Sequence, residues 1–198
     1  NVFSKQDTPP GPQARPNVLL GHFPLTGTGS ENRYLVYGNL FLHNPSEALL
    51  QAEGRVAVYD NVFINGSGDA IHIQPHNDVP RDMAIFSNTV LASATGIEVR
   101  HAAGTPYRQR VIANVVAAPS PLRGGETAYN ITLPYHPDLL DIAVPELTPR
   151  LLAQQPQTRR LPLGLQRELA AYPDWQAALP AGANVPPALL RLQEMPKP

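Results

Sequence analysis

Apolar and polar positions alternate with a period of two through the middle of the chain. Tyr34 and Val36, Val56 and Val58, Met83 and Ile85, and Gln109 and Val111 stand five and three residues ahead of an asparagine, and Phe41, Phe63, Val90 and Val116 stand two residues after one. A period of two marks a strand with one buried face. A second strand group precedes each next repeat: Ala48-Leu49-Leu50-Gln51, Ala70-Ile71-His72-Ile73 and Gly96-Ile97-Glu98-Val99. Polar turns such as Asn65-Gly66-Ser67-Gly68-Asp69 separate the groups.

The asparagines themselves form the repeat. Asn1-Val2-Phe3, Asn39-Leu40-Phe41, Asn61-Val62-Phe63, Asn88-Thr89-Val90 and Asn114-Val115-Val116 follow one another at intervals of 38, 22, 27 and 26. The long first interval reads as one coil with an insertion in the Pro/Gly/Thr-rich stretch Pro9 to Ser30. A βαβ unit needs a crossover helix and roughly 30 or more residues, and the spaced leucines of a leucine-rich repeat are absent. Short strands at this period, with no helix between them, predict a coil that stacks on itself. The asparagine is then expected at a tight bend, in a left-handed conformation that it tolerates. Stacked at ~4.8 Å, the amides form a ladder.

Tyr59-Asp60-Asn61-Val62-Phe63 and its copies, with Asp69-Ala70-Ile71-His72-Ile73 strands between them, resemble the right-handed parallel β-helix repeat of the pectate-lyase-like superfamily. The resemblance covers about Arg33 to Ala118, 86 of 198 residues. It implies an all-β chain, a right-handed parallel β-helix (solenoid) of about four to five coils. It implies less about activity, because this fold carries lyases, hydrolases, epimerases, adhesins and inactive scaffolds.

Proline sets the domain limits. Residues 33–118 hold four of the 23 prolines, the first 32 residues hold five, and the last 80 hold fourteen. Proline lacks an N–H and is unwelcome inside sheets. The chain therefore divides into a first coil strand with its insertion (1–32), coils (33–118), and a final coil remnant with a Pro-rich, partly helical capping tail (119–198). In that tail Leu163 to Leu179 reads as an amphipathic helix through Leu165, Leu169, Tyr172 and Trp175, broken or kinked by Pro173. Val185 to Met195 reads as a further turn or two, and the rest as extended chain.

Composition removes several function classes. Charged residues make up 16% of the chain and the net charge is −1, so nucleic acid is not an expected partner. No run of 18 apolar residues exists to span a membrane. Without cysteine there are no disulfides, thiolate metal sites or cysteine nucleophiles. Fingerprints for dinucleotide or phosphate cofactors, GxSxG and EF-hand loops are missing, so no cofactor is expected. Asn1 is not an initiator methionine, and the chain reads as the C-terminal portion of a longer or processed precursor.

In the resembled superfamily, substrate lies along the outer face of one sheet and its flanking turns. That points to the Ala70–Gln74 type of strand. With Ile71, Ile73, Ile97 and Val99 inward, His72 and Glu98 stack outward, one coil apart, with Leu50 before them. Gln74 and Arg100 form the next column, with Ala52. Proton transfer by His72 and Glu98, with Arg100 neutralising a uronate carboxylate, is one reading. A solvated sheet face with a cross-coil His–Glu contact is the other. Gln74, His76, Asp78, Arg81 and His101 then border the groove as substrate-binding residues. A metal at His72, His76 and Asp78 competes with a turn held by Asn77 and Asp78 through backbone bonds, and no metal is assigned. Family lyases use a lysine or arginine base beside calcium, but the only lysines here are Lys5 and Lys197.

Tyr37, Tyr59 and Phe86 stand two residues before successive ladder asparagines and are expected to stack outward. They form either a sugar platform or an apolar strip covered by another part of the chain. The resemblance implies a secreted or periplasmic protein that binds or processes a polysaccharide. A non-catalytic accessory subunit docking on another protein is the competing expectation. The coil of Asn1 is expected to pair with further β coils, from a missing N-terminal portion or a partner chain, while the tail caps the far end.

Overall fold

A computed structural model describes residues 1–7, 14–21, 23–101, 104–155, 160–177 and 179–184. Sixteen short strands are described, and they form three sheets in which every pairing is parallel. Each coil contributes one strand to each sheet. The first sheet stacks β1 (Val2–Ser4), β4 (Leu40–Leu42), β7 (Val62–Asn65), β10 (Thr89–Ala92), β13 (Val115–Ala117) and β16 (Ile131–Leu133). The second stacks β2 (Val18–Leu20), β5 (Leu50–Ala52), β8 (Ile71–Ile73), β11 (Thr95–Val99) and β14 (Ser120–Arg123). The third stacks β3 (Tyr34–Tyr37), β6 (Val56–Tyr59), β9 (Ala84–Phe86), β12 (Arg110–Ile112) and β15 (Glu126–Ala128). The result is a parallel β-solenoid of five coils and the first strand of a sixth. The coils thus run past Ala118 to Leu133, and β2 lies inside the stretch expected to be one insertion.

The asparagine ladder forms in full. In each rung the side-chain Oδ1 of one asparagine accepts from both the backbone N–H and the side-chain Nδ2 of the asparagine one coil earlier. The distances are 3.1 and 3.1 Å for Asn39 on Asn61, 3.1 and 3.0 Å for Asn61 on Asn88, and 3.0 and 2.9 Å for Asn88 on Asn114. Asn1 donates through Nδ2 to Asn39 at 3.0 Å, and Asn114 donates to Asn130 at 2.9 Å. Asn130 is thus a rung that the sequence spacing hid, only 16 residues after Asn114 because β13–β15 are joined by minimal turns. The left-handed residue is not the asparagine, as expected, but the one before it. Gly38, Asp60, Ser87, Ala113 and Tyr129 have φ between 50° and 64°. The preceding residue turns the corner, which leaves the asparagine free to aim its amide along the stack. A second, shorter stack joins Asn44 to Asn17 at 2.9 Å and to the Oδ1 of Asn65 through its backbone N–H at 3.3 Å.

Two apolar cores result, one on each side of the coil wall. The inner core holds Phe41, Val58, Phe63, Ile71, Ile73, Ile85, Ile97, Val99 and Val111, buried as the alternation predicts, and also Leu50, which was expected to face outward. Phe3, Phe41 and Phe63 stack in one column with centroids 5.0 and 4.4 Å apart. The outer core lies between the first and third sheets and the tail. Tyr37, Tyr59 and Phe86 stack at 4.9 Å per step, and Tyr172 and Trp175 close over them. Trp175 Nε1 donates to Ser87 Oγ at 3.0 Å, and Tyr59 donates its hydroxyl to Pro173 O at 2.8 Å. The aromatic strip is therefore covered, and it is no sugar platform.

The tail departs from expectation in two ways. Helix α1 (Val144–Ala153) forms where extended chain was expected, with Pro145 in its first turn and its buried Leu147, Thr148 and Leu151 against the solenoid. Thr148 Oγ1 lies 2.6 Å from Thr89 Oγ1. Helix α2 (Leu163–Leu169) is shorter than the expected span and ends well before Pro173. The described part of the tail also lies along the side of the stack, because the outward faces of the first and third sheets carry the apolar residues that need burial. Val185 to Met195 lies outside the described residues.

Replacing Ile73 by alanine removes a fully buried side chain and is expected to cost ~2–5 kcal/mol, read from urea midpoints. Asp60 gives a pH test. Burial raises its carboxyl from 3.8 to about 7, outweighing the two N–H groups that Asn184 donates to it. The folded state then binds this proton more tightly than the unfolded state. Stability from this group is full below its unfolded value and is lost as pH rises towards about 7. Asp60→Asn keeps a residue suited to the left-handed corner and should flatten that slope. An unchanged slope in the variant would assign the pH dependence elsewhere.

Candidate functional site

Covering two of the three sheets leaves the outer face of the second sheet. Its central column is Leu19, Gln51, His72, Glu98 and Arg123, one residue per coil. The expected column of His72 and Glu98 therefore exists, but Leu50 is not in it. Leu50 pairs with Ile71 and Ala52 with Ile73, both buried inside. A one-residue slip exchanges the faces of a strand, so Gln51 is the outward neighbour that the sequence alignment missed.

The polar side chains of this column hold one another. His72 Nε2 lies 3.2 Å from Asp69 Oδ2 and 3.6 Å from Glu98 Oε2. The Asp69 carboxylate is fixed by the Thr95 N–H, which donates to Oδ1 at 2.7 Å. Arg100 donates to Glu98 Oε2 at 3.2 Å, and Arg123 stands 3.9 Å from Glu98 Oε1. The His72 and Glu98 side chains are only 12% and 16% exposed, whereas Arg100 and Arg123 are 57% and 60% exposed. His72 Nε2 has no open surface. Nε2 is turned into the protein, towards two carboxylates.

The bordering loops are built differently from expectation. The turn after β8 is held by Glu53, whose Oε2 accepts from the N–H groups of Asn77 at 2.7 Å and Asp78 at 3.0 Å. Glu53 is 2% exposed. A lone acid between an apolar strand and Gly54 is the one sequence signal for this role. Arg81 is buried rather than lining a groove. It binds Asp78 Oδ2 at 2.9 Å, Glu31 Oε1 at 3.1 Å and Ser30 O at 2.8 Å, pinning the 21–33 loop to the stack. It has no exposed donor fork to offer a ligand, so its expected substrate role does not fit its position. Asp78 is likewise engaged, with Oδ1 accepting from Val79 N–H at 2.8 Å.

Gln74 is half-buried at the end of β8, with its N–H donating to Ala52 O. His76 is exposed, and its Nδ1 accepts from Asn77 Nδ2 at 2.9 Å. His101 is exposed beside Arg100. On the adjoining rim Arg108 holds Glu126 and Arg110 holds Glu168, which keeps both carboxyls below their ordinary values. Among the described residues, no group of three or more His, Asp or Glu side chains is arranged to hold a metal ion. No described helix is long and apolar enough to cross a membrane.

No protein-family model, no curated protein and no solved structure matches the chain.

Glu98 balances two arginines and faces His72. Glu98→Gln should leave Arg100 and Arg123 without a carboxylate while keeping the strand pairing. The expected cost in stability is about 1 kcal/mol or less at this partly exposed position, read as a small fall in Tm. A loss of several kcal/mol would show that the network supports the fold rather than presenting its arginines.

Proposed function

We propose that the outer face of the second sheet binds an acidic polysaccharide without cleaving it. The observation that carries this reading is that the tail covers the outer faces of the other two sheets, while this one displays Arg100 and Arg123 on adjacent coils. Both are more than half exposed, and both are oriented by the less exposed Glu98. Guanidinium groups suit carboxylates because their planar donors match two oxygens at once. The likeness of the coils to pectate-lyase-like β-helices supplies the substrate class, and with it an extracytoplasmic setting.

Binding is favoured over processing by the state of His72 and Glu98. Glu98 is held by Arg100, and His72 Nε2 is buried near the Asp69 and Glu98 carboxylates without a hydrogen bond to either. His76, Gln74 and His101 border the face and add polar contacts at its rim.

A second reading is a non-catalytic accessory subunit that docks on another protein. It is favoured by Leu19, at the head of the same column, together with Phe23 and Leu25 in the following loop, all three exposed.

Titration calorimetry with an oligogalacturonate and its neutral counterpart tests the leading reading. The acidic oligomer should bind, the neutral one should not, and affinity should fall with salt. Arg100→Ala and Arg123→Ala should each weaken binding about tenfold, the weight of one charge-assisted contact. Absorbance from unsaturated uronate should not appear. Its appearance would restore a lyase role for His72, Glu98 and Arg100. Equal affinity for both oligomers, or none for either, would leave the docking reading standing.

A further inference from the structure

The two ends of the stack are not equivalent. At the end formed by β15, β14 and β16, two inward columns finish in threonine, while that of Val18, Leu50, Ile71 and Ile97 finishes in the partly buried Leu122. The column of Phe3, Phe41, Phe63, Val90 and Val116 ends in Thr132, and that of Val36, Val58, Ile85 and Val111 ends in Thr127. Both threonines are exposed. Gly124 follows the Val99 column, where any Cβ would lie 2.1 Å from Val99 O. Pro121 sits in β14, the last strand of its sheet, where no further strand needs its N–H. This end is built to stop.

The opposite end is built to continue. Its inward residues are Phe3, Val18, Leu20, Tyr34 and Val36, which pack on the inner core yet stay only partly buried. Their counterparts one coil further in, Phe41, Leu50, Ala52, Val56 and Val58, are fully buried. No described strand pairs with the free edges of β1, β2 and β3, and none of the three carries the proline or lysine that blunts an edge.

The ladder adds direction. Every Oδ1 accepts from the asparagine one coil nearer this end, so the Oδ1 of Asn1 is the acceptor left facing outwards. We propose that this end is an acceptor for one further parallel β coil, which carries asparagine at the ladder position and apolar residues at its inward positions. A second copy of this chain is not that coil. Head to head, it would set acceptor against acceptor at Asn1. Head to tail, it would set Thr127 and Thr132 against Phe3 and Val36. The inference does not depend on either reading of the second sheet.

The test extends the full chain by a duplicate of Asn39–Asp60 placed directly before Asn1, so that its aspartate precedes Asn1 as Asp60 precedes Asn61. The extended chain should melt about 5 °C or more above the original, because stacked repeats gain stability at each interface. Asn39→Ala in the duplicate alone should remove most of that gain. Hydrogen exchange gives a second readout that does not depend on Tm. The N–H groups of Val2, Ser4, Leu19, Leu35 and Tyr37 alternate with those bonded to the next coil. They should exchange roughly tenfold or more slowly in the extended chain. Unchanged Tm and exchange would overturn the proposal. So would light scattering that finds the unextended chain as a discrete dimer, dissociated by Phe3→Asp.

Discussion

One hydrogen-bonding arrangement organises the solenoid: an asparagine carbonyl that accepts two donors from the coil before it. The two donors are different in kind. The backbone N–H of Asn61 would otherwise be stranded at a corner, outside any strand ladder, and Asn88 Oδ1 satisfies it. The Nδ2 of Asn61 also donates to Tyr59 O and Val36 O, capping carbonyls that the bend exposes. A buried polar backbone group left unpaired costs about 1–3 kcal/mol, and each rung prevents more than one such loss. This corner requires a left-handed residue, and Asp60, Ser87, Ala113 and Tyr129 accept that conformation although none is glycine. The strain is small per corner, of order 1–3 kcal/mol, and it is offset by a rung that no other backbone path would form.

The solenoid is not held by its interior alone. Parallel sheets are normally covered on both faces, and here the tail supplies the second cover for two sheets of three. Its contacts are specific. Gly182 adopts a φ of 83°, and a Cβ there would lie 2.7 Å from Thr148 and 3.0 Å from both Thr89 and Val115. Gly182 N–H donates to Ala113 O, and Ala183 N–H to Thr89 Oγ1. The covering of the aromatic strip and the exposure of the second sheet are thus one fact: the tail chooses the apolar faces and leaves the polar one.

Much of this was legible because period-two alternation and a repeated asparagine are local signals. Ile71, Ile73, Ile97 and Val99 could be placed inside from their spacing alone. The site was legible only in part, for a geometric reason. Coils of unequal length conceal their register, and one residue of slip put Leu50 where Gln51 belongs. Asp69 seemed isolated in sequence, yet three residues of turn bring it to His72. Arg123 belongs to a coil closed by Gly124 and Gly125, beyond the segment where the repeat could be seen. Glu53 carries no sequence signal of its role beyond standing alone before Gly54, and Arg81 reads as a groove residue, since nothing in a single sequence reveals that their partners are the backbone of a loop 24 residues later and the carbonyl of Ser30. Helix α1 escaped notice because its two prolines argue against a helix, although Pro145 stands in the first turn, where its missing N–H costs nothing.

The direction of the ladder and the taper of the interior support each other. Donors and acceptors alternate along the ladder in one sense only, so one end presents donors, those of Asn130, and the other an acceptor, that of Asn1. Along the same axis the central column shrinks from phenylalanine through valine to threonine. A threonine can turn its hydroxyl to water while its methyl still closes the core; a phenylalanine cannot. Hydrogen-bond polarity and side-chain size therefore set the same orientation independently. The exposed arginines of the second sheet lie towards the threonine end, on coils that the ladder has already satisfied. Binding at Arg100 and Arg123 then asks nothing of the open coil, and stacking at Phe3 asks nothing of the ionic face.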